Sequence, residues 1–411
     1  MRDAPLFVER TCCGQIRHLR GKIVLMSQPF VGVAAVANAA QASAAGRLLS
    51  LDAFRGATMA FMILVNTPGD GHHVYWPLEH AKWHGWTPTD VVFPSFLWIV
   101  GVAMTLSLGR RLARGDSRAG LFRRAARRAG VLFALGVLVY AYPAFDLSTQ
   151  RILGVLQRIA LCYLASVAIY LTTRLRGQIV WIVALMAVYW LLMAFAPVPG
   201  YGAGRLDVEG NFAHYVDRIV LGSHNYLWTK TWDPEGIVST LPAIATCLFG
   251  LLAGHIVGLR RSLGERCLHL VWLGVILLAA GLVCNTWLPI NKNLWTDSFT
   301  LFMAGLDFIL FAGFLWLVDG LGWRSAVKPL IVMGMNAIAI YLASEFLDEG
   351  LRWVHWTGAS GKVVLRDWLY DHLFAHLASP CNASLLYAMT YVMVLFLFAW
   401  SLYRRGWFLR V

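Results

Sequence analysis

About ten apolar runs, each close to the length needed to cross a lipid bilayer, recur along this chain and leave few folds open to it. A hydrocarbon core of roughly 30 Å takes about 17–25 apolar residues per helix. Runs of that kind lie near 51–67, 91–109, 129–142, 152–172, 178–196, 236–258, 267–287, 298–318, 329–347 and 384–403. The third is short and is expected to extend backward into its basic flank. Of 411 residues, 58% are hydrophobic and 14% charged, against roughly 45–50% and about 25% in globular domains. The expectation is an all-α polytopic membrane protein with about ten transmembrane helices.

The formal charge of +13 does not point to nucleic acid, because the basic residues cluster between apolar runs, as in cytoplasmic membrane loops. "GRRLARGDSRAGLFRRAARRAG", between the second and third runs, holds eight arginines against Asp116 alone. Placing that loop in the cytoplasm puts "TTRLRGQ", "GLRRSLGERC", "GWRSAVKP" and the tail "YRRGWFLRV" on the same side, all of them net basic. This gives an N-in, C-in topology. The loop between the first two runs then faces outward, with 197–235, 288–297 and 348–383. Residues 1–46 read as a disordered cytoplasmic tail, since "FVGVAAVANAAQASAAG" is too weakly apolar for a clean signal peptide, and 47–411 form the membrane domain. Seven scattered cysteines show no metal-type or disulfide spacing and read as small buried hydrophobes.

Polar groups inside hydrocarbon are costly and need a reason. Asn66 ends the first run, His80 follows in the outer loop, and Asp90 opens the second run. Topology brings the three to one membrane face. An imidazole, an amide donor and a carboxylate able to orient the ring make an acid–base set. Asp90 also suits a helix start by itself, where a negative charge meets the helix dipole. His72, His73, Glu79, His80 and His84 crowd the same loop, but they lack a second matched pair, and no metal is expected. Asp52 and Arg55 can pair at i, i+3 at the start of the first run.

Two further outer segments, "WTKTWDPEGI" and "WLPINKNLWTDS", combine tryptophans with acids and amides. Such tryptophans are interfacial anchors first. With Trp83 they also suit a sugar, whose ring has an apolar face and a rim of hydroxyls, and the candidate contacts are Trp83, Asp233, Glu235, Asn291, Lys292 and Asn293. Gln157 and Arg158 sit about two turns into the fourth run, Asp307 lies midway along the eighth, and Asn336 lies inside the ninth. A buried arginine there calls for a partner or an anionic ligand. Gly250, Gly254 and Gly258 carry small-xxx-small spacing, read first as packing within the bundle and second as a homodimer contact.

The segments "RLLSLDAFRG", "HAKWHGWTPTDVVFP", "GVLQRIALCY", "DPEGIVSTL" with "FGLLAG", "PINKNLWT" and "GMNAIAIYL" together resemble the transmembrane acetyltransferases typified by heparan-α-glucosaminide N-acetyltransferase and its bacterial relatives. They occur in the family's order across 47–403. The resemblance implies transfer of acetyl from cytosolic acetyl-CoA, a co-substrate, to the amine of a glucosamine-type sugar or glycan on the far side. It maps the family's essential histidine onto His80 and its catalytic asparagine onto Asn66, with Asp90 beside them. With such a donor, its phosphates would meet the arginine-rich cytoplasmic loop, where Arg124, Arg127 and Arg128 are the candidates, and the buried Gln157, Arg158 and Asn336 are candidate contacts farther in. Lys82 and His84 replace a serine and an asparagine of the lysosomal enzyme, and the long luminal N-terminal region and first span of that enzyme have no counterpart. That fits a bacterial inner-membrane protein. The alternative is a transporter or flippase for a lipid-linked or small polar solute, lining a path with the same polar residues.

Overall fold

Ser117 ends the arginine-rich connection by starting a helix: its hydroxyl accepts the Gly120 N–H at 3.2 Å. The third apolar run therefore does extend backward, into a helix of 24 residues carrying five arginines on its first turns. Similar caps open other elements. Ser262 and Glu265 form a reciprocal capping box, and the Thr296 hydroxyl accepts the Phe299 N–H.

The computed structural model describes residues 48–358 and 361–409; the expected N-terminal tail, 1–46, lies outside them. Thirteen α-helices stand among the described residues: α1 (Leu49–Asn66), α2 (Val92–Ala113), α3 (Arg118–Ala141), α4 (Val155–Thr172), α5 (Leu175–Phe195), α6 (Phe212–Leu221), α7 (Thr240–Val257), α8 (Leu263–Cys284), α9 (Asp297–Phe314), α10 (Lys328–Met335), α11 (Ala337–Trp353), α12 (Leu365–Leu373) and α13 (Pro380–Arg404). One antiparallel hairpin, β1 (His355–Gly358) with β2 (Gly361–Val364), separates α11 from α12. Every apolar run falls on a helix.

Seven helices are long and apolar enough to cross a membrane, or eight if α10 and α11 are one broken span. The chain is an integral multi-pass membrane protein. Two of the ten runs miss that measure for visible reasons: α1 carries Asp52 and Arg55, and α3 carries its arginines. The ninth run is interrupted. Between α10 and α11 the axis turns by 80°, at Asn336, whose side-chain oxygen accepts the backbone N–H of Leu409 at 3.2 Å. The amide nitrogen of Asn336 is buried without a partner.

Two helix crossings fix the interior. At the first, a Cβ on Gly101 of α2 would fall 2.0 Å from the Cys247 carbonyl oxygen of α7, and one on Gly250 would fall 1.9 Å from that of Trp98. At the second, a Cβ on Gly56 of α1 would lie 1.7 Å from the Leu330 oxygen of α10, and one on Gly334 would lie 1.9 Å from that of Asp52. Backbones touch at both places, as small residues allow. The spacing of Gly250 and Gly254 is thus used within the bundle, where Gly254 meets Thr105. Beside these crossings Trp98 packs edge-on against Phe54, Phe308 and Phe311, joining α1, α2 and α9. At 1.5 Å per residue, the 22 residues of α2 hold the loop before it about 33 Å from the arginine-rich connection after it.

Candidate functional site

The loop 67–91 is folded by its own polar groups. Thr89 donates its hydroxyl to the Pro77 carbonyl at 3.0 Å and Thr87 donates to the Glu79 carbonyl at 2.5 Å. Gly85, at φ +98, donates its N–H to the Ile290 carbonyl at 2.8 Å, which ties this loop to the connection between α8 and α9. These bonds present His80 to Asp90 as the chain turns into α2.

Asp90 is 1% exposed and its two oxygens are differently used. Oδ2 accepts from the backbone N–H of Ala81 at 3.1 Å, the N–H of Thr87 at 3.0 Å and the Thr87 hydroxyl at 3.2 Å. Oδ1 faces His80 Nδ1 at 2.7 Å. A carboxylate can only accept, so Nδ1 carries the proton and Nε2 keeps its lone pair. This is the geometry by which an acid fixes an imidazole's tautomer and ring orientation. The rim of the ring remains open, with the His80 side chain 51% exposed, although the loops pack closely about it.

Lys292 completes this corner. Its Nζ lies 3.0 Å from His80 Nδ1, 3.3 Å from Nε2 and 3.5 Å from Asp90 Oδ1. Burial, and after it the Lys292 charge, hold the His80 imidazole below its ordinary pKa, against the opposing pull of Asp90 and Glu235. Burial also lowers Lys292, against the same two carboxylates.

The acids expected at a sugar have a different principal partner. Arg151, in the loop before α4, grips Asp233 with both nitrogens, Nε to Oδ2 at 2.8 Å and Nη2 to Oδ1 at 2.6 Å. Its Nη2 also reaches Glu235. The guanidinium lies between the rings of Tyr140 and Tyr226, at 4.7 and 4.4 Å, and all three charged groups are buried. Burial pushes Asp233 up. Burial presses on Glu235 as well, but Arg151, Arg158 and Lys292 outweigh it and hold that carboxyl low. Arg151 escaped the sequence reading, yet it had a signal: it is the one arginine in the connection between α3 and α4, at the end of the bundle opposite the basic loops.

Gln157 and Arg158 occupy the first turn of α4, rather than two turns in, because the helix begins only at Val155. Arg158 donates Nη2 to the Gly236 carbonyl at 2.9 Å and to the Ser239 hydroxyl, and lies over the Trp295 ring. Its Nε and Nη1, with both amide atoms of Gln157, are buried without a partner. Asn291 is a turn builder: its Oδ1 accepts the Leu294 N–H at 3.0 Å, and its Nδ2 stands 3.4 Å from His84 Nδ1. Asn293 is half-buried beside it. Trp83 donates Nε1 to the Leu206 carbonyl at 3.0 Å and meets Trp232 and His214 edge-on. His214 stacks on Trp232 at 4.2 Å, and burial takes its pKa down to about 4, so the stacked ring is neutral at pH 7.

The remaining candidates make no hydrogen bond to His80 or Asp90. Asn66 ends α1 exposed, outside the hydrogen bonds of His80 and Asp90. Arg124, Arg127 and Arg128 lie at the opposite end of the bundle, where Arg124 pairs with Asp116 at 2.9 Å and Arg128 covers the Tyr163 ring. Asn336 sits at the α10–α11 bend, under the C-terminal stretch. Among the described residues no group of three or more His, Cys, Asp or Glu side chains could hold a metal. His73 is instead engaged by Asp70, at 2.5 Å.

Residues 47–208 match the family described as heparan-alpha-glucosaminide N-acetyltransferase, catalytic. Across a longer stretch the chain is 28% identical over 362 residues to heparan-alpha-glucosaminide N-acetyltransferase of mouse, covering 75% of this chain and 54% of that protein. With the human protein of the same name the identity is 28% over 358 residues, covering 74% and 53%. The chain thus spans about half the length of these curated relatives.

Proposed function

We propose that this chain, related in sequence to the heparan-alpha-glucosaminide N-acetyltransferases, moves acetyl from acetyl-CoA to the amine of a glucosamine-type sugar, with His80 at the reacting centre. The observation that carries the reading is the His80–Asp90 pair, which lies inside the matched segment and leaves Nε2 unprotonated. Two routes balance. Nε2 attacks the thioester carbonyl, the C–S bond breaks and the CoA thiolate leaves; the sugar amine then displaces neutral imidazole from the acetyl-imidazolium, and the proton the amine loses goes to the thiolate. Alternatively, the amine attacks the thioester directly while Nε2 removes its proton and passes it to the thiolate. In both, Asp90 steadies the positive charge that the ring gains. Asn66, exposed at the end of α1, is assigned to the oxyanion.

The acids and aromatics around this corner support the sugar assignment. Glu235 and Asn293 offer polar contacts, and Trp83 offers a ring. For the donor, the orphaned edges of Arg158 and Gln157 supply buried donors and an acceptor that a pantetheine arm would satisfy. The exposed Arg127 with Arg124 and Arg128 would attract its phosphates from the other end. Purified protein given acetyl-labelled acetyl-CoA and glucosamine should release labelled N-acetylglucosamine and free CoA. Solute uptake into proteoliposomes without any acetyl transfer would replace this reading with a transporter.

Sidedness follows from the charge bias of the loops. A cysteine at Lys82, exposed beside His80, should react in intact cells with a membrane-impermeant thiol reagent, and one at the exposed Arg114 should react only after permeabilisation. The reverse pattern would invert the topology and put donor and acceptor on the wrong faces.

A further inference from the structure

We infer that Lys292 is a positioning residue for the proposed reaction: its ammonium, fixed against the His80 ring and beside the Asp90 carboxylate, keeps that imidazole unprotonated and ready to act. The inference deepens the proposed function and rests on His80 being its acid–base or nucleophilic group. It begins with geometry. Nζ is almost equally far from the two ring nitrogens, 3.0 and 3.3 Å, so it lies against the imidazole between them rather than in line with one lone pair. From there a cation opposes a second proton on either nitrogen. It also approaches the Asp90 oxygen that holds Nδ1, at 3.5 Å, so the carboxylate's charge is shared between ring and lysine.

The lysine is held for this. Asn291 closes its turn onto Leu294, the Asn291 N–H donates to the Thr296 hydroxyl at 3.1 Å, and Ile290 is bonded to Gly85 of the histidine's own loop. The charged groups bearing on His80 come from three separate stretches: Asp90 before α2, Lys292 before α9 and Glu235 before α7. The two carboxylates favour imidazolium, whereas the ammonium and burial oppose it. Without Lys292 only burial would oppose the two carboxylates, and the His80 pKa would rise.

Removing the cation raises the His80 pKa, so the ring becomes reactive only at higher pH. Diethyl pyrocarbonate modifies neutral imidazole, and mass spectrometry of the peptide containing His80 reads its modification rate against pH. The wild-type midpoint should lie below the ordinary value of about 6.5. In Lys292→Met it should rise by about one pH unit or more, as expected for a unit charge at this distance in partly screened surroundings. Lys292→Arg should restore most of the depression, and the acid limb of kcat/KM for acetyl transfer should move in parallel. Lys292→Gln serves if the methionine variant does not purify as a folded species. A wild-type midpoint at or above 6.5 overturns the inference whatever the variants do, as does an unchanged midpoint in Lys292→Met. The modification assay needs no acetyl transfer, so a His80 that is idle in turnover would sink the proposed reaction while leaving this measurement readable.

Discussion

Alanine in place of His80 is expected to lower acetyl turnover by at least about 10²–10⁴-fold, the usual loss for a positioned general base. The loss would be larger if the ring itself carries the acetyl group. The bundle should survive the change, because half of the His80 side chain is exposed. Asp90 would also keep its three bonds from Ala81 and Thr87. Acid quenching during turnover separates the two routes. Labelled acetyl found on the wild-type protein and missing from His80→Ala identifies acetyl-imidazole. Its absence from both, with turnover still lost, identifies a base. Near-normal acetylation of glucosamine by His80→Ala would remove His80 from the chemistry altogether.

Arg151→Ala should be the most destabilising single change at this end of the bundle, at about 3–5 kcal/mol, the range for breaking a buried ion pair from one side. Two buried carboxylates, Asp233 and Glu235, lose their shared partner, and two tyrosine rings lose the group between them. Thermal unfolding followed by tryptophan fluorescence checks this. Arg151→Lys should recover little, because an ammonium cannot match the two-pronged grip on Asp233. A midpoint unchanged in the alanine variant would mean that water replaces the guanidinium at no cost.

The helices could be read from the sequence because lipid imposes a length and a polarity on each one. That signal is local, and it located α3's hidden first turns as well as its apolar half. The bend at Asn336 was not readable in the same way, since an asparagine within an apolar run also suits a straight helix with a buried amide. His80 and Asp90 lie ten residues apart and could be joined from topology. Lys292 could not, because its place at the ring depends on how two loops 212 residues apart in the chain fold onto each other. The pairing of Asp233 and Glu235 with Arg151 was hidden for the same reason, since that arginine lies more than eighty residues away.

At the α2–α7 and α1–α10 crossings, carbonyl oxygens rest where a Cβ would have to go. A joint of this kind works like a dowel. It transmits force but gives no room to slide, because a shift of one residue along either helix would bring a side chain into a gap sized for hydrogen. Conformational change in this protein is thereby directed away from the scaffold and into the connections at its ends. One of those connections is the loop between α1 and α2 that carries His80.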